Sequence, residues 1–539
     1  MAEHWDYVIV GAGSAGCVLA ERLSRDPAAR VLVLEAGGRN RHPLITLPKG
    51  IGKVTLNPRY TWYYPVRQPR TPDMPPVETW VRGRGLGGSS AVNGMIYVRG
   101  QARDYDLWAE RHGCTGWNAA TMLEAFRAIE DHELGPGDGR GVGGPLRISS
   151  GTFRYPLAEA MIAAGEQLGL PRRADLNGPE QEGIGYFSHN IHRGRRQSAA
   201  EVFLKPALRR PNVAVRTGVL VDRIHFTGQR ATALEAIGPA GRETIPVAGE
   251  VILSAGVMAS PVILQRSGVG PGAVLQGAGV PVLADSPGVG AHLRDHLGIS
   301  MPFRLRGVAG NNRAFRGLGL ARNVLRYYLT RGGPLATGPY EVGAFVRARD
   351  TSDRPDLQLY GSAFTFQRGD NPNFPVQLAR VEREPGLTIY GQMLQLRSEG
   401  RIAITAADPA APLAIDPNWL SDPDDQGMAV ATLRYIRRFA AQPALAPFLG
   451  AELLPGPALQ DDAALLDFAR RFSRCGTHAV GVCAMGGTAD AVCDPDLRVR
   501  GVSGVRVVDC AAMPGLVSAN TNGPAMAFAW AAADRILRR

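Results

Sequence analysis

The chain has 539 residues, 45% of them hydrophobic and 20% charged, enough to bury a large core and to form two or more domains. Its net charge of +11 comes almost wholly from arginine, with Lys49, Lys53 and Lys205 as the only lysines. The arginines are scattered with no basic arm, which argues against nucleic acid as a partner.

The six cysteines (Cys17, Cys114, Cys475, Cys483, Cys493 and Cys510) form no CxxC pair, so neither a disulfide framework nor a metal site is expected. The first strand begins by Asp6, which leaves no room for a signal peptide. No run approaches the ~18 apolar residues of a membrane span. A cytoplasmic location follows as the expectation, with contact at the periphery of the inner membrane left open and the oligomeric state unknown.

Tyr7-Val8-Ile9-Val10 reads as a buried strand. Gly11-Ala12-Gly13-Ser14-Ala15-Gly16 follows without a spacer, and Cys17 to Arg25 carries Val18, Leu19 and Leu23 on one helical face. Val31 to Leu34 is a second buried strand ending in Glu35. This is a βαβ unit with a glycine fingerprint: Gly11 for the tight turn, Gly13 for close approach of a pyrophosphate, Gly16 for helix–strand packing. The helix N-terminus offers free N–H groups to phosphate, and Glu35 stands where an acid binds a ribose hydroxyl pair. The motif alone does not choose between FAD and NAD.

From Arg39 to Trp80 the sequence shows neither helical nor strand periodicity and reads as an extended cover over the nucleotide. Gly83 to Gly94 (Gly-Arg-Gly-Leu-Gly-Gly-Ser-Ser-Ala-Val-Asn-Gly) supplies backbone amides for a polar or anionic group, and Met95-Ile96-Tyr97-Val98 looks buried. Asp104–Ala109, Ala119–Ile129 and Leu157–Leu168 read as helices, and 135–144 as a glycine loop. Val213–Thr217 and Val219–Ile224 read as strands, and so does Glu250 onward, which ends in the small residues Ser254-Ala255-Gly256. Ser260-Pro261 opens a helix with Ser260 as its cap.

From Ser300 to about Arg397, aromatics such as Tyr327, Tyr328, Phe345, Tyr360, Phe364, Phe366 and Tyr390 mix with short alternating strands. This reads as an antiparallel sheet over the substrate, continued by Arg401–Thr405. Met428–Phe439 is helical. Val505 to Val508 is a buried strand ending in Asp509, and Asn522-Gly523-Pro524 opens a last helix, Ala525–Leu537. Asp509 can accept hydrogen bonds from a ribityl chain, and the helix N-terminus can stabilise negative charge on a reduced flavin.

These stretches together resemble the glucose–methanol–choline family of FAD-dependent alcohol oxidoreductases, in its bacterial alcohol and choline dehydrogenase-like branch. The resemblance rests on Gly11–Gly16 with Glu35-Ala36-Gly37-Gly38, on Gly83–Gly94, on Gly256 through Ser260-Pro261 to Gly270, and on Gly288-Val289-Gly290 with Asp295-His296-Leu297. It continues in Gly476-Thr477-His478-Ala479-Val480-Gly481 and in Asp509–Pro514 with Asn520-Thr521-Asn522. It implies a Rossmann-like FAD domain of the glutathione-reductase type and an α+β substrate domain with an antiparallel sheet. The expected division is 1–299, mainly FAD-binding; 300–396, substrate sheet; and 397–539, carrying the catalytic pair back to the FAD domain.

The resemblance places FAD against Gly11, Ala12, Gly13, Ser14, Ala15, Gly16, Glu35, Ala36, Arg84, Gly87, Gly88, Ser89, Asn93, Gly94, Met95, Ile96, Val221, Asp509, Ala511, Thr521 and Pro524. Certain members attach FAD through a histidine one residue before the motif's asparagine. Val92 stands there, which implies non-covalent FAD.

Oxidising an alcohol removes a hydroxyl proton and a hydride from one carbon. FAD takes the hydride, and histidine is the usual proton acceptor near neutral pH. His478 matches the family's catalytic histidine. Asn520 matches the second site residue, able to orient an oxygen but not to act as a base. His296 reads as a structural loop residue. Glu341 matches a carboxylate that some choline-acting members aim at a trimethylammonium group, and equally a structural carboxylate of members acting on uncharged alcohols. Thr477 stands where some members carry an aromatic, and the Cys483-Ala484 before Met485-Gly486 departs from the branch's usual Arg or Lys with no chemical account. The reading is an FAD-dependent alcohol dehydrogenase or oxidase, with a quinone-like carrier or oxygen as acceptor. The alternatives are a choline enzyme proper, a hydroxynitrile-lyase-like enzyme on the same scaffold, and an NAD-binding protein.

Overall fold

A computed structural model describes residues 4–67, 71, 77–137, 139–368 and 376–538. Tyr7–Val10 is the central strand of a five-stranded, all-parallel sheet. The strand order is Val213–Thr217, Val31–Glu35, Tyr7–Val10, Glu250–Leu253, Val505–Val507. The inner strands Val31–Glu35, Tyr7–Val10 and Glu250–Leu253 are covered on both faces, which is why these runs are mostly apolar rather than alternating. Val8, Ile9, Val33, Ile252 and Val507 are inaccessible to solvent. The chain leaves Tyr7–Val10 toward one side of the sheet and later returns on the other. The crevice beyond the carboxyl ends of Tyr7–Val10 and Glu250–Leu253 is therefore a topological switch point, where such sheets bind ligands.

The first helix, Ser14–Leu23, packs against the last, Asn522–Leu537, and Ser14 Oγ donates to Asn522 Oδ1 over 2.8 Å. The two ends of the chain thus close one wall of the crevice together.

The second sheet has seven antiparallel strands. Its path runs Leu449–Glu452, Leu297–Leu305, Gly386–Met393, Leu357–Ser362, Val342–Val346, Gly183–Tyr186, with Arg474–Cys475 also paired to Leu297–Leu305. The sheet is therefore not confined to 300–396, because it recruits strands from far upstream and downstream. Arg401–Ala403 does not continue it and pairs instead with Ala414–Asp416.

Residues 39–80 are more ordered than their sequence suggests. They hold the short helices Pro43–Thr46 and Ile51–Val54 and the first arm of a hairpin, Thr61–Arg67 against Val77–Gly83. The hairpin escapes pattern reading because Trp62, Tyr64 and Pro65 interrupt the alternation. Residues 68–70 and 72–76 lie outside the described residues. Ser260 is not a cap: Ala259 holds that position, and the Ser260 hydroxyl donates to Asp509 Oδ2 at 2.6 Å. A buried carboxylate is a stronger acceptor than a helix end is a donor set. The helices Ala102–His112, Ala119–Ile129, Pro156–Gln167 and Pro423–Ala440 stand where periodicity puts them, and the described residues of 135–144 lie outside helices and strands.

Gly11 sits at φ +104°, a conformation side chains rarely adopt, and a Cβ on Gly16 would run into the Gly11 carbonyl oxygen. Gly16→Ala should therefore distort the turn, costing about 1–3 kcal/mol of stability as overpacking does. FAD should be lost on dialysis. Flavin absorbance per mole of purified variant checks this, and full occupancy would exclude the role given to Gly16.

Candidate active site

A cavity of about 850 Å³ runs from the glycine turn to the seven-stranded sheet. Gly11, Gly13, Ser14, Ala15, Glu35 and Ala36 line one end, and His478, Asn520, Tyr340, Tyr360, Tyr390 and Gln392 line the other. Between them lie Gly88, Ser89, Asn93, Gly94, Met95, Ile96, Val221, Asp509 and Thr521.

Ala12, Gly16, Arg84, Gly87, Ala511 and Pro524 do not line the cavity. Each supports it from behind. The Ala12 amide donates to Glu35, the Gly87 amide donates to the Ala12 carbonyl, and the Ala511 amide donates to Asp509. The Arg84 guanidinium stacks over Trp62, 4.2 Å from the ring centre. Pro524 lies buried in the first turn of the last helix. Trp62, Tyr63 and Tyr64 of the hairpin, from the stretch read as a cover over the nucleotide, and Val257 to Ala259, from the Gly256–Gly270 motif, also line the cavity; so does the 409–413 loop, which no sequence pattern singled out.

Glu35 is held by three backbone amides. Its Oε2 accepts from Ala12 at 2.9 Å, and its Oε1 accepts from Gly37 at 2.7 Å and Gly85 at 3.0 Å. These bonds join the two glycine motifs through one carboxylate and leave acceptor capacity for a ribose hydroxyl. Asp509 is held similarly by Gly256, Ser260 and Ala511, and burial raises its pKa. Its role is to tie the 256–260 turn to the last strand as much as to face a ribityl chain. On the cavity wall, Asn522 Nδ2 and Arg82 Nη2 are buried donors with no hydrogen-bond partner. Unpaired buried donors beside a long cavity with a glycine turn fit a polar, phosphate-bearing cofactor such as FAD.

At the far end, Asn520 Nδ2 stands 3.2 Å from His478 Nε2 and donates to the Tyr360 hydroxyl at 3.1 Å. Gln358 Nε2 donates to Asn520 Oδ1 at 3.2 Å, which fixes the amide so that its NH₂ faces His478. His478 Nδ1 lies 3.1 Å from His296 Nδ1, and Gln392 Nε2 lies 3.2 Å from the same His296 atom. Gln392 can only donate there, so the network assigns the His296 Nδ1 as acceptor and His478 Nδ1 as the protonated nitrogen. That leaves the His478 Nε2 lone pair facing Asn520 and the cavity. Gln358 and Gln392 are direct cross-strand partners, so one register of the substrate sheet sets the orientation of both Asn520 and the histidine pair.

Beneath the pair, Asp295 Oδ1 accepts from the backbone amides of His296 and His478, each at 2.7 Å. Its Oδ2 accepts from Cys475 Sγ at 3.0 Å and faces Arg82 Nη2 at 3.6 Å. Thr477 is held at φ +65°, an uncommon conformation for a β-branched residue, and its amide donates to Cys475 Sγ. Burial pushes the His478 pKa well below the ordinary value, and His296 and Arg82 push it the same way. Burial likewise lowers His296 to about 3. Both rings are therefore neutral near pH 7. His296, in the loop before Leu297–Leu305, is thus also a direct neighbour of His478.

Glu341 is not on the cavity wall. It is buried, with Oε1 2.7 Å from Lys49 Nζ and bonds from Tyr155 and Thr337. Among the described residues no group of three or more His, Cys, Asp or Glu could hold a metal.

A family model described as GMC oxidoreductase matches residues 5–298 and 397–529. Choline dehydrogenase, mitochondrial, of Homo sapiens is 38% identical over 543 residues, covering 99% of this chain and 90% of its own. Oxygen-dependent choline dehydrogenase of Burkholderia pseudomallei is 37% identical over 537 residues, covering 99% and 93%. Among solved structures, pyridoxine 4-oxidase from Mesorbium loti superposes with a TM-score of 0.88 at 32% identity, covering 99% of this chain and 100% of that one. Formate oxidase of Aspergillus oryzae superposes at 0.91 and 25% identity, covering 100% and 98%.

If His478 Nε2 is the proton acceptor, His478→Ala should slow anaerobic flavin reduction roughly 10²–10⁴-fold. In the wild type the basic form exists above the depressed pKa of His478. The rate should therefore hold as pH falls through 6.5 and drop only well below it, and that acid limb should be absent in His478→Ala. Gln392→Leu removes one bond ordering the histidine pair and should cost about tenfold in the same step, the worth of one net hydrogen bond. Stopped-flow reduction across pH checks all three. A wild-type rate in His478→Ala would reject the assignment. The chain belongs to the GMC oxidoreductase family, FAD-dependent enzymes that oxidise CH–OH donors.

Proposed function

We propose that the enzyme oxidises an uncharged alcohol to an aldehyde or ketone. One observation carries the reading: His478 Nε2 and Asn520 Nδ2 stand 3.2 Å apart at the closed end of the cavity, with the tautomer that presents a lone pair. An alcohol oxygen seated between them would accept a hydrogen bond from Asn520 and give its proton to His478. Bound FAD supplies the hydride acceptor. The Asp295 carboxylate holds the backbone amide of His478 and so fixes where its ring stands. The neutral His296 ring keeps the imidazolium oriented. Electrons leave to oxygen or a quinone-like carrier.

The substrate end is walled by Tyr340, Tyr360 and Tyr390, whose ring centres lie 5.2–6.4 Å apart. The carboxylate in this region, Glu341, is already neutralised by Lys49. This combination favours an alcohol carrying a flat or apolar group. A quaternary ammonium alcohol such as choline is the second reading, supported by the tyrosine faces, which attract cations, and by the names of the relatives. It lacks a free counter-charge here.

Anaerobic flavin reduction by aryl and long-chain primary alcohols, compared with choline, separates the readings. The neutral alcohols should exceed choline in kcat/KM by about ten- to a hundredfold, the worth of a missing charge-assisted contact. Choline as the best substrate would overturn the preference, and a flavin that no alcohol reduces would favour a lyase.

The same preparation tests the cofactor's attachment. Val92 lines the cavity and packs with Ile45, Val54 and Ala91, offering no nucleophile. Acid precipitation should therefore release all the FAD to the supernatant, and a yellow pellet would show a covalent link.

A further inference from the structure

The helix Gly317–Thr330 has only one buried residue, Tyr327, which packs with Leu47 and Leu335 and donates from its hydroxyl to the Gly194 carbonyl. On the opposite side, Leu318, Leu325, Tyr328 and Leu329 form a stripe at helical spacing, with Leu318 89% and Leu329 75% exposed. The helix is thus amphipathic in the inverted sense, its apolar face turned to solvent. Large apolar side chains grouped in this way on a protein surface mark an interaction site rather than scatter.

The charge around this stripe is of one sign. Residues 306–340 contain Arg306, Arg313, Arg316, Arg322, Arg326 and Arg331 and no Asp or Glu. Among the described residues, no carboxylate forms a salt bridge with Arg313, Arg316, Arg322, Arg326 or Arg331. Elsewhere in this chain about half of the arginines form salt bridges, as Arg294, Arg304, Arg349 and Arg437 do. Leucine and tyrosine on one face with unpaired arginines beside them is the composition of a helix that lies in a bilayer interface, apolar side chains among the acyl chains and guanidinium groups at lipid phosphates.

The position matters to the site. Tyr327 packs on the segment whose next residues, Ile51 and Thr55, line the cavity, and the same acid-free stretch ends in Pro339 and Tyr340 on the cavity wall.

We propose that Gly317–Thr330 docks the enzyme on an anionic bilayer surface, with Leu318, Leu325 and Leu329 inserted and Arg322 and Arg326 at the headgroups. The contact is peripheral, since no helix among the described residues is long and apolar enough to cross a membrane. A self-association surface is the competing explanation for an apolar face, but six like charges around it would repel across a two-fold interface.

The test is flotation of the FAD-loaded enzyme with vesicles of phosphatidylcholine alone or mixed with phosphatidylglycerol. Wild type should float with the anionic vesicles and stay behind with the neutral ones, and high salt should release it. The triple variant Leu318→Ser, Leu325→Ser, Leu329→Ser should lose at least about tenfold in partitioning. The pair Arg322→Gln, Arg326→Gln should lose roughly thirtyfold. Both should keep wild-type FAD content and wild-type turnover with a soluble dye acceptor, which shows that they are folded. Wild type that stays in solution with anionic vesicles, or leucine variants that float as well as wild type, would overturn the proposal. So would a wild-type dimer in light scattering that dissociates in the leucine variant without any vesicle binding.

Discussion

The active site depends on a single buried carboxylate. Asp295 accepts the backbone amides of both His296 and His478, takes the Cys475 thiol, and faces Arg82. These partners come from three places in the chain: the turn before Leu297–Leu305, the segment from Cys475 to His478 at the end of the sheet's last strand, and the hairpin over the cofactor cavity. A buried carboxylate without such donors would be costly. Burial does raise the Asp295 pKa, and Arg82 and the donors from Cys475, His478 and His296 oppose that shift. Satisfying this one group therefore fixes where the segment from Cys475 to His478 sits against the sheet.

The glutamine pair acts one layer further out. Gln358 and Gln392 face each other across adjacent strands, and each has one end on a residue of the site: Gln358 on Asn520, Gln392 on His296. Because amides have a donor end and an acceptor end, such a chain has one consistent direction of donation. That direction gives the His478 tautomer with a free Nε2. The substrate sheet thus does more than cover the cavity. Slipping its register by one residue would turn both glutamines to the opposite face and leave the histidine tautomer unspecified.

The first domain was legible in the sequence because its information is local. The glycine turn, the helix after it and Glu35 lie within one βαβ unit, and each has its own signal of spacing or residue type. His478 and Asn520 were legible through motifs that resemble a known family. The contact of His296 with His478 was not legible because its partner lies 182 residues away, and no local pattern announces a contact at that separation. Gln358 stood in plain view in an alternating strand, but its function depends on which residue of another strand lies opposite. The same limit applies to the substrate sheet, whose edge strands at Gly183–Tyr186 and Leu449–Glu452 carry no mark of belonging to it. Lys49 did leave a signal: a lysine is unusual in this arginine-rich chain, and here it reaches into a buried site as a compact charge on a flexible stem. Nothing in the sequence showed that its partner would be Glu341.

The charges of the site follow one pattern. Glu35 and Asp509 are held by backbone amides, with a serine hydroxyl added at Asp509, and Glu341 by lysine and two hydroxyls. None of the three is left as a free charge at the substrate end. What faces a bound alcohol there is a set of dipoles: the Asn520 amide, the Tyr360 hydroxyl and a neutral imidazole. In a cavity of low polarity, fixed dipoles stabilise an alkoxide as it forms without first binding a cation in the ground state. A free carboxylate at that position would repel the developing oxygen charge, a penalty acceptable only when a cationic substrate cancels it. The Lys49–Glu341 pair removes the carboxylate from that balance.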